Sequence, residues 1–303
     1  MIKIATLLTC HNRKSKTLSS LHSLYSALVY YNEKIMEASD KIDSVIYLTD
    51  DGCTDGTVEA IETEFADKKI NILKGNGNLF WAGGMRFAWN EALKRKDEWD
   101  YYLLLNDDTI LFNTAFVELM VTNTYCHKRY HKSGIYSGIT CSPDDYGKIT
   151  YGGDIFLNKF TGKRKRLGES DQPQMCDLTN ANILLVSKNV ANEMGILYGG
   201  YIHGAADYDY TYMARKRGIP VLITAKPCGE CVFDHKTDKD KRELFLSMSL
   251  AERKKYIANP LRSGEDYVTF IRRTMPLKYP ITWIFRKMNL YMPRLYYWLN
   301  KQR

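Results

Sequence analysis

The feature that most constrains this chain is an apolar run, Tyr101–Leu105, which is followed directly by Asn106, Asp107 and Asp108. A short, continuous apolar run predicts a strand buried on both faces, as in the middle of a parallel sheet. Ligands of open α/β sheets bind beyond the carboxyl ends of the strands, so these carboxylates should face a crevice. Paired carboxylates suit a hard divalent cation such as Mg²⁺ or Mn²⁺, which holds phosphate oxygens. A turn or a helix cap is the alternative use for them.

Three earlier segments also predict strands, and each is followed by a polar or Gly-rich segment. They are 2–8, which has a buried-strand pattern, 44–48 and 70–73. Helix capping accounts for one acidic residue after the second run but not for three, and a carboxylate there can bind a base or a ribose. The Gly-rich segment after the third run lets backbone approach a ligand, although a loop with its aromatic residues packed in the core is equally consistent. The candidate nucleotide or donor contacts after these segments are Thr9, Asn12, Arg13, Asp50, Asp51, Trp81, Gly83, Gly84 and Arg86, together with Asn106 and Asp107 after the run at 101–105.

Composition is that of an ordinary globular protein. Of 303 residues, 45% are hydrophobic and 26% charged, which predicts one large domain with an appendage. A change to a helical pattern at about residue 243 divides the chain into a domain at 1–242 and a C-terminal helical extension at 243–303. The sequence has no GxGxxG or Walker motif, which argues against NAD enzymes and P-loop NTPases. Seven scattered cysteines and a first strand without an apolar leader predict free thiols in a cytoplasmic protein. Cys228 and Cys231 lack a second ligand pair, so thiols are favoured over zinc.

Three strand-end motifs together resemble those of the family 2 glycosyltransferases, which have the GT-A fold. They are Thr9–Arg13 (TCHNR), Asp50–Thr57 (DDGCTDGT) and Asn106–Asp108 (NDD). The resemblance implies an α/β fold with a mixed, mostly parallel central sheet flanked by helices. It also implies that the two leading acids of the second motif contact the nucleobase and ribose. The third motif stands where the family has DXD, and because Asn replaces its first acid, the resemblance assigns the metal mainly to Asp108.

A second acidic centre lies in Gly199–Tyr210, which leads into a predicted helix. This segment resembles the family's Glu-Asp-x-Asp motif, with Ala206 in place of the Glu. The resemblance implies that Asp207 is the base that takes the proton of the acceptor hydroxyl, and that Asp209 binds the acceptor or caps the helix. Family members often carry a histidine after this helix that completes the metal site, and His235 is the matching position.

The C-terminal tail is basic and aromatic, and no acidic residue follows Asp266. Basic residues interleaved with aromatic and aliphatic ones at helical spacing favour a helix in a membrane interface. No uncharged apolar run has the length needed to span a bilayer. The alternative is a helical pair packed on the catalytic domain or on a partner subunit of a homo-oligomer. Nucleic acid is disfavoured, because the tail contains no recognisable binding module.

These features predict an inverting, Mg²⁺- or Mn²⁺-dependent glycosyltransferase of polysaccharide biosynthesis, with a glycan or lipid-linked acceptor. Phe80–Gly84 resembles the corresponding stretch of bacterial surface-polysaccharide enzymes, including rhamnosyltransferases, which favours a dTDP- or UDP-sugar donor. The tail predicts a peripheral location at the inner face of the plasma membrane. One alternative is a nucleotidyltransferase, although such enzymes usually have a basic, Gly-rich loop after the first strand. The other is a non-catalytic glycan- or lipid-binding protein, which Asn106 and Ala206 at usually acidic positions would suit.

Overall fold

The computed structural model describes residues 1–34, 37–233, 238–262 and 264–300. The strands in these residues are β1 (Ile2–Cys10), β2 (Ile42–Asp50), β3 (Ile70–Lys74), β4 (Tyr101–Leu105), β5 (Ile110–Leu111), β6 (Ile135–Ser142), β7 (Asp145–Tyr151), β8 (Gly153–Asn158), β9 (Lys163–Arg166), β10 (Gln174–Met175), β11 (Leu178–Thr179), β12 (Ile183–Ser187) and β13 (Val221–Glu230). The α-helices are α1 (Lys14–Lys34), α2 (Thr57–Glu64), α3 (Phe80–Leu93), α4 (Ala115–Tyr130), α5 (Lys188–Met194), α6 (Ala206–Lys216), α7 (Asp238–Ser247), α8 (Leu250–Ala258), α9 (Gly264–Thr274), α10 (Tyr279–Tyr291) and α11 (Pro293–Asn300).

Most of the described strands form one sheet in the order β10-β13-β6-β12-β4-β1-β2-β3, with β5 beside β13 and β7 beside β6. Neighbours are parallel from β3 through β2 and β1 to β4. Strand β12 runs antiparallel to both β4 and β6, so β6 and its parallel partner β13 run in the same direction as β4. Strands β11, β8 and β9 form a smaller sheet. The predicted mixed, mostly parallel sheet flanked by helices is confirmed.

Helices cover both faces of the large sheet. Ile4 and Leu8 of β1 pack in one core with α1, α2 and α4, whereas Ala5 and Leu7 pack in the other core with α3, α5 and α6. Neighbouring residues of a strand point to opposite faces, so a strand covered on both faces must be apolar throughout. This is why β4 reads in the sequence as a continuous apolar run.

The carboxyl ends of the parallel strands lie along one edge of the sheet. Cys10 at the end of β1 is paired with Asp50 at the end of β2, and Asp50 is paired in turn with Lys74 at the end of β3. Strand β4 lies on the other side of β1, where Leu104 is opposite Leu7. The strand-end motifs found in the sequence therefore lie side by side.

The C-terminal residues form helices α7 to α11, as the sequence predicts, and they fall into two kinds. Phe270 and Ile271 of α9 are buried in the core that contains α3 and α6. In contrast, the chain from just before α10 to α11 exposes the large apolar side chains of Leu277, Ile281, Trp283, Ile284, Tyr291, Met292, Leu295, Trp298 and Leu299. Among the helices described, none has both the length and the apolarity required to cross a membrane. The division of the chain after residue 242 stays a prediction.

Candidate active site

The acids after β4 form a cluster with Arg13, which follows β1. Arg13 Nη1 lies 3.3 Å from Asp107 Oδ1, and Nη2 bonds to Asp108 Oδ2. Thr17 of α1 donates a hydrogen bond to Asp107 Oδ2 at 3.4 Å. Burial raises the pKa of Asp107 to about 6; Arg13 opposes the rise and Asp108 adds to it. Two carboxylates and one guanidinium leave a net charge of −1 when all are ionised, a setting in which a further cation is favoured.

Trp81, in the first turn of α3, fixes the first residue of the NDD motif. Its indole Nε1 donates a hydrogen bond to Asn106 Oδ1 at 2.8 Å. The backbone N–H of Asn106 donates to Asn182 O at 3.1 Å, and Ser20 Oγ donates to Asn106 O at 3.2 Å. An acidic side chain at position 106 would accept the same indole bond, so Asn keeps the contact without adding charge.

Asp51 holds the loop that leads into α3. Its Oδ2 accepts hydrogen bonds from the backbone N–H groups of Leu79 and Phe80, both at 2.9 Å, and its Oδ1 accepts one from Gly77 at 2.8 Å. Phe80 has a left-handed backbone with φ of 53°, a strained conformation that such bonds stabilise. Asp51 thus orders the start of α3, and its contact with a nucleotide stays a prediction.

The junction between β1 and β2 is closed by side chains from both motifs. Asn12, also left-handed with φ of 50°, accepts hydrogen bonds from the backbone and hydroxyl of Thr54 at 2.7 and 3.2 Å. Asp50 Oδ1 accepts a bond from the N–H of Cys53 at 2.7 Å. Asn12 therefore ties the segment after β1 to the segment after β2, and the nucleotide contacts of Asn12 and Asp50 stay predictions.

Gly84 lets α3 approach the end of β1. A Cβ atom at this position would lie 2.1 Å from Thr9 Oγ1 and 2.7 Å from Thr9 Cβ. Thr49 Oγ1 donates a hydrogen bond to Gly84 O at 2.8 Å, which holds the helix at that distance. Gly83 is also buried in this helix. The roles of both glycines and of Thr9 in donor binding stay predictions, but close helix packing already requires Gly84.

The predicted metal site is only partly described. Asp108 is partly exposed and lines a cavity of about 240 Å³ together with Ser19 and Glu230. Its hard oxygen donors and the net negative charge of the cluster fit Mg²⁺ or Mn²⁺. The other predicted ligand, His235, lies outside the described residues.

A second set of possible ligands was not foreseen from the sequence. Within the described ranges, the one group of three Cys, His, Asp or Glu side chains with donor atoms all within 4.8 Å is Cys10, Asp50 and Cys53. Burial raises the pKa of Cys10, which disfavours the thiolate that a metal would need. The soft sulfur atoms of Cys10 and Cys53 also do not suit Mg²⁺ or Mn²⁺.

Asp207 lies in the first turn of α6, two residues after Ala205, whose backbone is left-handed with φ of 62°. Its Oδ1 accepts a hydrogen bond from the N–H of Tyr208 at 2.8 Å, and its Oδ2 accepts one from Ala181 at 3.0 Å. Burial raises the pKa of Asp207 to about 6, although both amides oppose the rise. The result is a rigidly held carboxylate that is ionised at neutral pH and still basic enough to accept a proton.

Two of the predicted site residues bond to other parts of the chain. Asp209 is 2% exposed, and its Oδ1 is 3.1 Å from Nε of Arg273 on α9. Arg86 Nη1 donates a hydrogen bond to Tyr198 O at 3.2 Å, and burial lowers its pKa although Asp266 opposes this. Arg86 therefore contacts the segment 198–205, and Asp209 contacts α9. The acceptor contact of Asp209 and the donor contact of Arg86 stay predictions.

No protein-family model and no curated protein matches the chain, whereas solved structures do match it. S. aureus TarS 1–349 aligns with a TM-score of 0.52 over 97% of this chain and 82% of that one, at 13% identity. GalNAc-T7, solved with UDP, GalNAc and Mn²⁺, aligns with a TM-score of 0.52 over 76% of this chain, at 12% identity. This chain has the GT-A glycosyltransferase fold. It spans 43% of the length of the GalNAc-T7 chain and of the longer TarS chain.

Within the GT-A fold, one short segment, Asn180–Asn182, connects the two acidic centres. Ala181 donates its N–H to Asp207, and the next residue, Asn182, accepts the N–H of Asn106. Asn182 Nδ2 also contacts Thr109 Oγ1 at 3.4 Å. The base candidate and the NDD motif are therefore fixed to the same piece of backbone.

Sequence reasoning overlooked three residues that lie around the start of α6: His203, Asp266 and Arg273. His203 lies in the loop before α6, and its ring centroid is 6.4 Å from that of Phe80. Asp266 and Arg273 lie on α9 and bond to that loop and to α6. The one sequence signal was that Asp266 is the last acidic residue in a basic tail.

Proposed function

We propose that this protein is an inverting glycosyltransferase that moves a sugar from a UDP- or dTDP-sugar to a hydroxyl of a glycan or lipid-linked acceptor. The observation that carries the proposal is Asp207, a carboxylate with a pKa raised to about 6 that shares its backbone support with Asn106. The GT-A fold supports the reaction class. The UDP-GlcNAc complex of TarS and the UDP complex of GalNAc-T7 support a uridine nucleotide over other donors.

In the proposed reaction Asp207 takes the proton of the acceptor hydroxyl while the hydroxyl oxygen bonds to the anomeric carbon of the donor. The bond from that carbon to the phosphate oxygen breaks on the opposite face, and its electron pair leaves with the nucleoside diphosphate. The anomeric configuration is therefore inverted. A base with a pKa of about 6 is mostly ionised at pH 7 and remains a competent proton acceptor.

We also propose that a divalent cation, Mg²⁺ or Mn²⁺, is held by Asp108, with His235 as the further predicted ligand. When bound, such an ion neutralises charge on the departing diphosphate. Arg13 holds Asp107 and Asp108 in place from the β1 side of the sheet edge. The Mn²⁺ in the GalNAc-T7 structure supports this assignment.

For the C-terminal tail, we propose that α10 and α11 lie on the inner face of the plasma membrane, beside a lipid-linked acceptor of polysaccharide biosynthesis. Trp283 is 48% exposed and Trp298 61% exposed, and no acidic residue follows Asp266. Exposed aromatic residues insert between lipid headgroups, and the interleaved cations are attracted to anionic lipids.

The test is a panel of nucleotide sugars, with release of the nucleoside diphosphate as the readout. We expect turnover with a UDP- or dTDP-sugar, and we expect Asp207→Asn to lower it by on the order of a hundredfold or more, as for loss of a general base. The exposed Asp171→Asn serves as the matched control and should behave like the wild type. Pyrophosphate as the product would instead favour a nucleotidyltransferase. No turnover with any donor would favour a non-catalytic binding protein.

A further inference from the structure

We propose that Asp266 and Arg273 of α9 are positioning residues that hold the acceptor side of the active site in its working shape. The part of the molecule concerned is the loop of residues 198–205, here called the pre-α6 loop, which ends two residues before Asp207. The inference deepens the proposed function and rests on it for the claim about catalysis. The claim about the loop itself rests on contacts alone.

Asp266 anchors the middle of the pre-α6 loop. Its side chain accepts hydrogen bonds from three consecutive backbone N–H groups: Ile202 at 3.0 Å, and His203 and Gly204 at 2.8 Å each. Asp266 is 3% exposed, so its carboxylate is removed from water and is stabilised by these hydrogen bonds instead. Three amides that converge on one buried carboxylate give the loop a single conformation.

The anchored residues come directly before a strained turn. Gly204 is followed by Ala205, whose left-handed backbone begins α6, and the N–H of Asp209 bonds to Ala205 O at 2.9 Å. A left-handed non-glycine residue persists only where its surroundings hold it in place. Asp266 supplies that restraint, and Asp207 receives its orientation from it.

Arg273 holds the two ends of the same region. Its Nε is 3.1 Å from Oδ1 of the buried Asp209, inside the first turn of α6. Its guanidinium lies 3.6 Å from the ring centroid of Tyr198, at the start of the pre-α6 loop. Positions 266 and 273 are seven residues apart, close to two helical turns, so both side chains leave α9 on one face.

The pre-α6 loop also borders the donor side. The ring of His203 packs edge-on against Phe80, the residue before Trp81, which bonds to Asn106. Burial lowers the pKa of His203, and Asp266 opposes this effect. A shift of the pre-α6 loop would therefore displace both Asp207 and the start of α3. Helix α9 is thus part of the catalytic unit, although it lies in the segment predicted to be an extension.

The experiment compares Asp266→Asn with Glu265→Gln in the full-length protein. Glu265 is the neighbouring carboxylate on α9, and its side chain is 68% exposed. An asparagine at position 266 retains one acceptor oxygen but places an N–H₂ group against a backbone donor. The three readouts are amide hydrogen exchange at residues 202–204, affinity for UDP with Mn²⁺, and the kcat for hydrolysis of the UDP-sugar that the wild type uses best.

We expect Asp266→Asn to speed exchange at residues 202–204 and to lower kcat, each by on the order of tenfold, as for loss of one charge-assisted hydrogen bond. UDP affinity should stay within about twofold, because a positioning defect acts on turnover rather than on nucleotide binding. A merely destabilising substitution would lower binding and turnover together. Glu265→Gln should match the wild type in all three readouts.

Unchanged exchange at residues 202–204 in folded Asp266→Asn protein would overturn the anchoring. Faster exchange with unchanged kcat would overturn the catalytic role. If Asp266→Asn does not fold, Arg273→Gln is measured in the same way at residues 198–204, since Arg273 is less buried than Asp266. If the wild type neither hydrolyses a nucleotide sugar nor transfers its sugar to an acceptor, the proposed function fails and the catalytic role fails with it, whereas hydrogen exchange still decides the anchoring.

Discussion

The raised pKa of Asp207 should lower the free energy of unfolding at neutral pH, and the same raised pKa makes Asp207 a usable base. Its pKa rises from the ordinary 3.8 to about 6 on folding, because the half-buried side chain loses much of its contact with water. The folded state therefore binds the proton more tightly than the unfolded state, and stability is lost as pH rises from about 4 to about 6. At 1.36 kcal/mol per pH unit, the full loss is about 3 kcal/mol.

The substitution Asp207→Asn removes this titration. It also changes the hydrogen bonds from Ala181 and Tyr208, but that effect does not vary with pH. Relative to the wild type, the variant should therefore gain about 2 kcal/mol between pH 4.5 and pH 7.5, the part of the linkage that falls in this window. Urea unfolding at a series of pH values measures the difference, with Asp171→Asn as the control.

The pH dependence of kcat should also follow the ionisation of Asp207. Because the base must be ionised, kcat for the wild type should fall as pH drops below about 6. The pKa of Asp107 is also raised to about 6, so the profile is compared in Asp107→Asn protein with and without Asp207→Asn, and the double variant should lack the acid limb. A stability difference between wild type and Asp207→Asn that is constant from pH 4.5 to pH 7.5 would refute the raised pKa. An acid limb that survives in the double variant would refute the assignment of Asp207 as the base.

Three further outcomes are expected. Gly84→Ala should lower the free energy of unfolding by about 1–3 kcal/mol through overpacking, whereas Gly199→Ala, which has open space around its Cβ, should be near neutral; equal effects in urea unfolding would contradict the packing account. Removal of divalent cations with EDTA should lower turnover by on the order of a hundredfold, with recovery on adding Mn²⁺ or Mg²⁺; full turnover in EDTA would exclude the metal. The double variant Trp283→Ser and Trp298→Ser should sediment with anionic liposomes at least tenfold less than the wild type or the control Tyr146→Ser. The reason is that each aromatic side chain contributes about 2 kcal/mol when it becomes buried among the lipids. Equal sedimentation would count against a membrane-binding surface on α10 and α11.

Local sequence pattern was sufficient for the architecture. The four neighbouring parallel strands β3, β2, β1 and β4 were predicted from short sequence segments, and the polar residues after them do lie along one edge of the sheet. Burial on both faces requires consecutive apolar residues, which are visible locally in β4, whereas β3, at the end of the sheet, is only partly buried. The Gly-Gly pair was noted for close approach to a ligand, but Gly84 is required by its contact with Thr9, which sequence alone could not show.

The chemistry of individual acids was decided by the tertiary structure. Sequence analysis placed Asp51 after a strand and Asp207 and Asp209 at a helix start, but it could not identify their partners. In the structure Asp51 bonds to three amides, Asp207 has a raised pKa and Asp209 pairs with Arg273. Burial and partners set the behaviour of a carboxylate, and neither is local in sequence.

The amino-acid sequence by itself determined where strands end, and hence which polar residues reach the catalytic edge of the sheet. Only the tertiary structure decided that Asp266, and not the adjacent Glu265, bonds to a loop that is more than 60 residues away along the chain. The physical reason is that periodicity is a property of neighbouring residues, whereas the contacts of α9 depend on how Phe270 and Ile271 pack into a core assembled from distant segments.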